Sequence, residues 1–238
     1  MMNSYDIVSD FYDSFTKGFD YSCYLEKCLS KIKTKPHGNL AVDLGCGTGN
    51  LLSLLVKNFD CTGVDISENM LQKASEKEEL KSVNFVCQSL EELDLYGAYD
   101  YAFCSLDTVN HLTEKNSVKA FFKKIANFIE PGGVFIFDIK NLDTFKNSAK
   151  TEIYRDKNST LIWEGFFEKP CIFHDLTFFY EDGDKISKEE AEISERYYSD
   201  EEIREMMEKC SPLTFERSFS YKKERTVFIY RKKDNGQS

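Results

Sequence analysis

The residues best placed to do chemistry sit in one run, Val42-Asp43-Leu44-Gly45-Cys46-Gly47-Thr48-Gly49-Asn50, between a short apolar stretch and a segment of helical pattern. Glycines at alternate positions let the backbone touch a ligand that any side chain would hold off. Ligands of open α/β sheets bind at that carboxyl end of a strand. Asp65 ends the next strand-like segment, 20 residues after Gly45. A carboxylate so placed accepts hydrogen bonds from both hydroxyls of an adenosine ribose. The alternative is a tight turn followed by a solvated aspartate. A dinucleotide site wants G-x-G-x-x-G, whereas this chain reads G-x-G-x-G with Asn50 where the last glycine belongs. Asp43 beside the turn would repel a pyrophosphate and attract an ammonium. The charge argument therefore favours S-adenosyl-L-methionine, an adenosine with an ammonium and no phosphate, over NAD.

Elements that position this run alternate along the chain. Residues 21–33 place Leu25, Cys28, Leu29 and Ile32 on one helical face, and Lys35-Pro36-His37-Gly38 breaks it. Leu40-Ala41-Val42 begins a strand, Thr48 to Val56 reads as helix, Cys61 to Asp65 as strand and Ser67 to Lys77 as helix. Val83–Val86 and Tyr99–Cys104 are further strands. Ser117 is expected to cap a helix carrying Val118, Phe121, Phe122, Ile125 and Ile129. Pro131-Gly132-Gly133 is expected to end that helix before the strand Val134–Phe137. The rhythm then changes, with three strand-like runs in 159–196 and a turn signal at Asp182-Gly183. Ser199 and Glu202 form a capping box ahead of Ile203, Met206, Met207 and Cys210. Leu213–Tyr221 and Arg225–Arg231 read as an antiparallel hairpin on the sheet's edge. The expected fold is α/β: a Rossmann-like, doubly wound, mostly parallel sheet with an antiparallel C-terminal hairpin and a small antiparallel β insertion. Residues 1–142 and 197–238 make the ligand-binding domain, and 143–196 the insertion.

These segments resemble the class I S-adenosylmethionine-dependent methyltransferases. VDLGCGTGN is similar to their first motif and GVDIS to their second. Phe85 to Leu90 resembles the third, Tyr99 to Cys104 the fourth, and Pro131-Gly132-Gly133 the approach to strand five. The likeness covers residues 39–139 in order and is nearest to bacterial methyltransferases of small molecules. It implies Asp43 and Gly45 near the methionine moiety, Gly47 in the same turn, Asp65 on the ribose, and Ile66 and Met70 against adenine. Ser89 stands where the family often has an acid for the adenine amino group; a hydroxyl accepts that bond less strongly. Leu90 and Cys104, from the third and fourth motifs, complete the expected cofactor contacts. Tyr12 and Tyr21 resemble positions that fold over the cofactor, or are ordinary core aromatics.

Acceptor-side candidates are fewer. The loop after strand four borders the methyl group in this fold, which makes His111 the first candidate for a general base and Asp107 its neighbour. Equally, His111 can be a helix-start residue bonded to backbone. No Pro-Pro motif of base-amine methylases is present, and the lone Pro170-Cys171 lies outside the position a cytosine C5 nucleophile occupies. Asp107 and Asp138 alone do not make a hard-cation site, so no metal is expected. The insertion carries eight Lys/Arg, thirteen Asp/Glu and several aromatics, among them Trp163, Phe166 and Phe178. It either packs one face on the main domain or also walls a pocket as a lid.

Composition narrows the partners. With 31 Lys/Arg against 41 Asp/Glu the net charge is −10, which disfavours nucleic acid and points to a small-molecule methyl acceptor. No apolar run is long enough for a membrane span, the start lacks a signal-peptide pattern, and eight cysteines stand without a C-x-x-C pair. A cytoplasmic monomer or homodimer is the expectation. A non-catalytic cofactor-binding module and, behind it, an NAD-dependent oxidoreductase are the competing readings.

Overall fold

The computed structural model describes residue 5, residues 8–9, and residues 12–155 and 158–234. The outer bounds expected for the main domain, residues 1 and 238, lie outside the described residues.

Seven strands form one sheet: β1 (Leu40–Leu44), β2 (Asp60–Asp65), β3 (Asn84–Cys87), β4 (Tyr99–Cys104), β5 (Ile129–Lys140), β10 (Thr214–Tyr221) and β11 (Arg225–Arg231). Their order is β10-β11-β5-β4-β1-β2-β3. β3 through β5 run parallel, whereas β11 is antiparallel to β5 and β10 to β11. Helices α1 (Tyr12–Thr16), α2 (Tyr21–Ser30), α3 (Leu52–Leu55), α4 (Glu68–Glu76), α5 (Lys115–Ile125) and α7 (Asp200–Cys210) flank this sheet. Every residue of β4 is buried, as a central strand covered on both faces requires. Phe121, Phe122, Phe135, Phe137 and Phe228 fill one face and Tyr24, Leu52, Phe103 and Ile136 the other.

Local chemistry sets the helix starts. Ser67 Oγ accepts from Met70 N at 3.1 Å, and Ser199 with Glu202 makes the expected capping box, so α4 and α7 open where the sequence placed them. Three expectations are corrected. The segment expected to be helical from Thr48 is a helix only over Leu52–Leu55, because Gly49 adopts φ +80 and keeps the preceding residues in a turn. Ser117 does not cap α5; the helix begins at Lys115, and Ser117 N donates to Glu114 O from inside its first turn. Pro131-Gly132-Gly133 does not precede a strand but lies within β5, where the register against β4 shifts.

Between β5 and α7 the chain builds a second sheet of β6 (Thr151–Arg155), β7 (Ser159–Glu168), β8 (Cys171–Asp182) and β9 (Lys185–Arg196), in that order and all antiparallel. β6 and a short helix α6 (Leu142–Asn147) add to the three strands read from sequence. β6 is a short edge strand of alternating exposure, which explains its weak signal. Leu161, Leu176, Phe178 and Ile193 from the inner face of this sheet pack with Val8 and Met70. Among the described residues no helix is long and apolar enough to cross a membrane.

Candidate active site

At the carboxyl end of β1 the chain turns sharply, and Gly45 N and Cys46 N both donate to Val64 O, at 2.8 and 2.9 Å. Gly45 has φ +72, and a Cβ there would collide with the Thr108 side chain arriving from the segment after β4. Asp65, at the end of β2, accepts from Gly47 N at 2.8 Å and Ser67 N at 3.0 Å. Burial raises its pKa despite these bonds. The carboxylate is thus fixed in place by backbone donors from two elements.

Asp43 is almost fully buried, and its Oδ2 has no hydrogen-bond partner. Burial, with a smaller push from Asp65, lifts its pKa from 3.8 to about 7. A buried acceptor left unmatched is costly, and a cationic donor arriving with a ligand would satisfy it. A narrow recess of about 20 Å³ is lined by Asp43, Tyr12, Tyr21, Gly45 and Asn50. Beside it opens a cleft of about 300 Å³ lined by Gly45, Gly47, Asp65, Ile66, Met70, Ser89 and Leu90. An adenosine carrying a protonated amino group fits this set: carboxylate for the ribose, apolar walls for the base, an orphaned acid for the ammonium.

Ser89 lines the cleft, but its hydroxyl accepts from Glu91 N at 3.2 Å as a local cap. Cys104, expected among the cofactor contacts, is fully buried in the core cluster and lines neither cavity, since β4's last side chain points into the sheet's packing layer. Tyr12 lies across Gly47, and Tyr21 Oη accepts from Asn50 Nδ2 at 3.4 Å. Burial pushes the phenols of Tyr5 and Tyr12 well up, so both stay protonated.

A second cavity of about 490 Å³ shares Tyr5, Tyr12, Leu106 and His111 with the cleft and extends to the inner face of the insertion sheet. Behind it lies a buried ionic network. Asp107 contacts Lys140 at 2.8 Å and Arg225 at 2.8 Å. Arg225 also reaches Asp138 at 2.8 Å, and Lys140 reaches Glu195 at 2.8 Å. Burial would raise the pKa of Asp107, but Lys140 and Arg225 outweigh it and hold the group below its ordinary value. Burial acts likewise on Glu195, whose pKa Lys140 and then His111 bring well below normal. Asp107 is therefore an ion-paired anchor rather than a free base. Leu106 and Asp107 both adopt left-handed φ, 59° and 64°, a strained pair for non-glycine residues. Asp138 holds them there by accepting Leu106 N at 2.9 Å and Asp107 N at 3.0 Å.

His111 Nδ1 and Tyr5 Oη share a hydrogen bond of 2.5 Å, with the donor set by the imidazole tautomer. Nitrogen or oxygen atoms of Asp107, His111 and Glu195 lie within 4.8 Å of one another. Lys140 already bridges both carboxylates, so a metal there would have to displace a cation. Sequence reasoning missed Tyr5, Lys140, Glu195 and Arg225. A third cavity, about 480 Å³, lies at the opposite end of the strands between residues 33–37 and the β10–β11 hairpin, lined by Gly132 but by none of the expected site residues.

The profile described as a methyltransferase domain matches residues 41–133. YqeM of Bacillus subtilis, provisionally named a methyltransferase, is 29% identical over 208 residues, 84% of this chain and 78% of that protein. The crystal structure of an S-adenosylmethionine-dependent methyltransferase from Clostridium acetobutylicum is 26% identical with TM-score 0.79, covering 97% of this chain and all of that one. A sugar N-methyltransferase from Streptoalloteichus shares the fold at 17% identity and TM-score 0.77, over 94% of this chain and 93% of that one.

Proposed function

We propose that this chain is a class I S-adenosylmethionine-dependent methyltransferase and that it methylates a small organic acceptor held between the cofactor cleft and the insertion sheet. One observation carries the acceptor assignment: the cleft and the 490 Å³ cavity share Tyr5, Tyr12, Leu106 and His111, so a molecule in one abuts a ligand in the other. The volume suits a metabolite-sized acceptor and excludes a folded macromolecule from the interior.

When bound, the cofactor supplies a sulfonium-activated methyl group open to in-line displacement. Asp65 would orient the ribose, Asp43 would take the ammonium, and Ile66 and Met70 would flank the base. Their task is alignment, because displacement at a methyl group gains most from a fixed approach and excluded water. Tyr5 and Tyr12 roof the junction of the two cavities. His111 is the group placed to take a proton from the acceptor: with Nδ1–H donated to Tyr5 Oη, Nε2 keeps its lone pair. The insertion, residues 143–196, acts in this reading as the acceptor's wall.

Release of S-adenosylhomocysteine on adding small-molecule pools tests the reading. Acceptor-dependent release that is lost in His111→Gln, with cofactor affinity kept, is the expected result. Salt-sensitive binding and methylation of tRNA or DNA would remove the small-molecule assignment. Tight cofactor binding with no acceptor-dependent release would favour a regulatory module.

A further inference from the structure

We propose that the acceptor is an organic amine that enters its cavity as the ammonium, and that Glu195 on the insertion sheet is the carboxylate that selects it. The inference rests on the small-molecule reading above and deepens it.

The argument is a charge count in a buried place. The side chains of Asp107, Asp138 and Glu195 are 16%, 0% and 4% exposed. Among the described residues, the cations paired with them are Lys140 and Arg225, each already in contact with two of the carboxylates. With His111 neutral, as its role as the base requires, three carboxylates against two cations leave one negative charge over. His174 does not cancel it. Trp163 Nε1–H can only donate, and it lies 2.8 Å from His174 Nδ1, so that nitrogen carries a lone pair and the ring is neutral. His174 Nε2 then faces Glu195 Oε1 at 3.5 Å as a neutral donor. On the rim Lys150 is matched by Glu152 at 2.9 Å, and Glu224 adds another acid. An unmatched buried charge is costly, and a ligand of opposite sign removes the cost.

Glu195 is the cavity-lining carboxylate matched by a single cation, both of its oxygens accepting from Lys140 Nζ at 3.0 and 2.8 Å. Asp138 lines neither cavity and is spent on Leu106 N, Asp107 N, Tyr24 Oη and Arg225. Asp107 bridges Lys140 and Arg225. Glu195 lines the acceptor cavity beside His111, with Trp163 and Tyr154 supplying aromatic wall that suits an organic cation. The ammonium would give one proton to His111. The freed nitrogen lone pair then forms the N–C bond as the C–S bond breaks, and the bonding pair stays on sulfur. The products are the methylated ammonium and a neutral thioether, and the proton on His111 leaves to solvent.

Protein saturated with S-adenosylhomocysteine is titrated with benzylamine, benzyl alcohol and benzoate, which share a ring and differ in charge. Benzylamine should bind about tenfold more tightly than benzyl alcohol, with benzoate weakest, as one added charge-assisted contact implies. In Glu195→Gln that preference should shrink to about twofold, and in Glu195→Asp it should persist. S-adenosylhomocysteine affinity in the same titration reports that each variant is folded. If Glu195→Gln does not fold, the parent's own ranking decides. Equal affinities, a benzoate preference, no benzylamine binding at millimolar concentration, or a preference untouched in Glu195→Gln each overturn the proposal. Conversion of alcohols to methyl ethers would remove the amine while leaving the small-molecule reading in place, whereas methylation of RNA alone would remove both.

Discussion

The cofactor cleft and the acceptor cavity share a wall, yet they are built in opposite ways. The carboxylates on the cofactor side, Asp43 and Asp65, lie close in sequence, and Asp65 is held by backbone amides. In the recess beside the cleft, Asp43 Oδ2 is left without a hydrogen-bond partner. The acceptor side gathers Asp107, Asp138, Lys140, Glu195 and Arg225 from separate elements, with Asp107 and Arg225 118 positions apart. There most carboxylates meet a cation within the chain. A site completed by its ligand should answer to ligand and pH, and a site completed by the chain should answer to mutation through stability.

The largest contrast should come from Asp65. Asp65→Ala would remove the two ribose hydrogen bonds proposed for this carboxylate, each worth roughly 1.5–3 kcal/mol, so calorimetric affinity for S-adenosylmethionine should fall at least about a hundredfold. Gly45→Val should do comparable harm, because its side chain would occupy the place of Thr108 at φ +72. An Asp65→Ala variant that is folded and binds as the parent does would break the comparison on the cleft side.

Arg225→Leu should instead act through stability. It leaves Asp107 and Asp138 buried with one cation fewer, a loss of roughly 3–5 kcal/mol in urea unfolding. A change below about 1 kcal/mol would mean that the network is not what holds this end of the sheet.

Asp43 gives the sharpest test by pH. Its folded pKa of about 7 lies above the ordinary 3.8 of an aspartate, so between those values the folded chain binds more protons than the unfolded one. Stability of the unliganded protein should therefore fall as pH rises through that window, by up to about 1.4 kcal/mol per unit from this group. Asp43→Asn should flatten the slope. Cofactor affinity should run the other way, weakening by up to about tenfold per unit below pH 7, because the ammonium needs the ionised carboxylate. A pH-independent affinity would detach Asp43 from the ligand.

The smallest effect lies far from both cavities. Ser199→Ala removes the reciprocal cap of α7 and should cost about 1 kcal/mol with no change in cofactor affinity.

The same contrast explains what the sequence could disclose. The glycine turn, Asp43 and Asp65 were legible because their spacing is local and only a strand–turn–helix puts glycines to that use. The parallel core, the edge hairpin and the Ser199 cap were legible for the same reason. Lys140, Glu195 and Arg225 carried no such mark. In a chain with 30% charged residues a single acid or base at a strand end looks like solvated surface. Only the pairing of β5 with β11 and the approach of β9 from the second sheet bring them together. Tyr5 was hidden by distance as well, since its partner His111 lies 106 residues away. Cys104 erred in the other direction, because a motif position says which strand a residue ends but not toward which layer its side chain turns.

Arg225 opens β11, the last strand in the described chain, which inserts between β10 and β5. Until that strand arrives, Asp107 and Asp138 face each other without the guanidinium that joins them, and β5 has no neighbour on that side. Closing the sheet and bringing the guanidinium to Asp107 and Asp138 are thus one event, and one that demands a contact between distant parts of the chain. Loops of that length close late in folding. On a ribosome, the glycine turn and both of its aspartates emerge long before that event, so the cofactor cleft can take shape while the acceptor cavity still waits for its final strand.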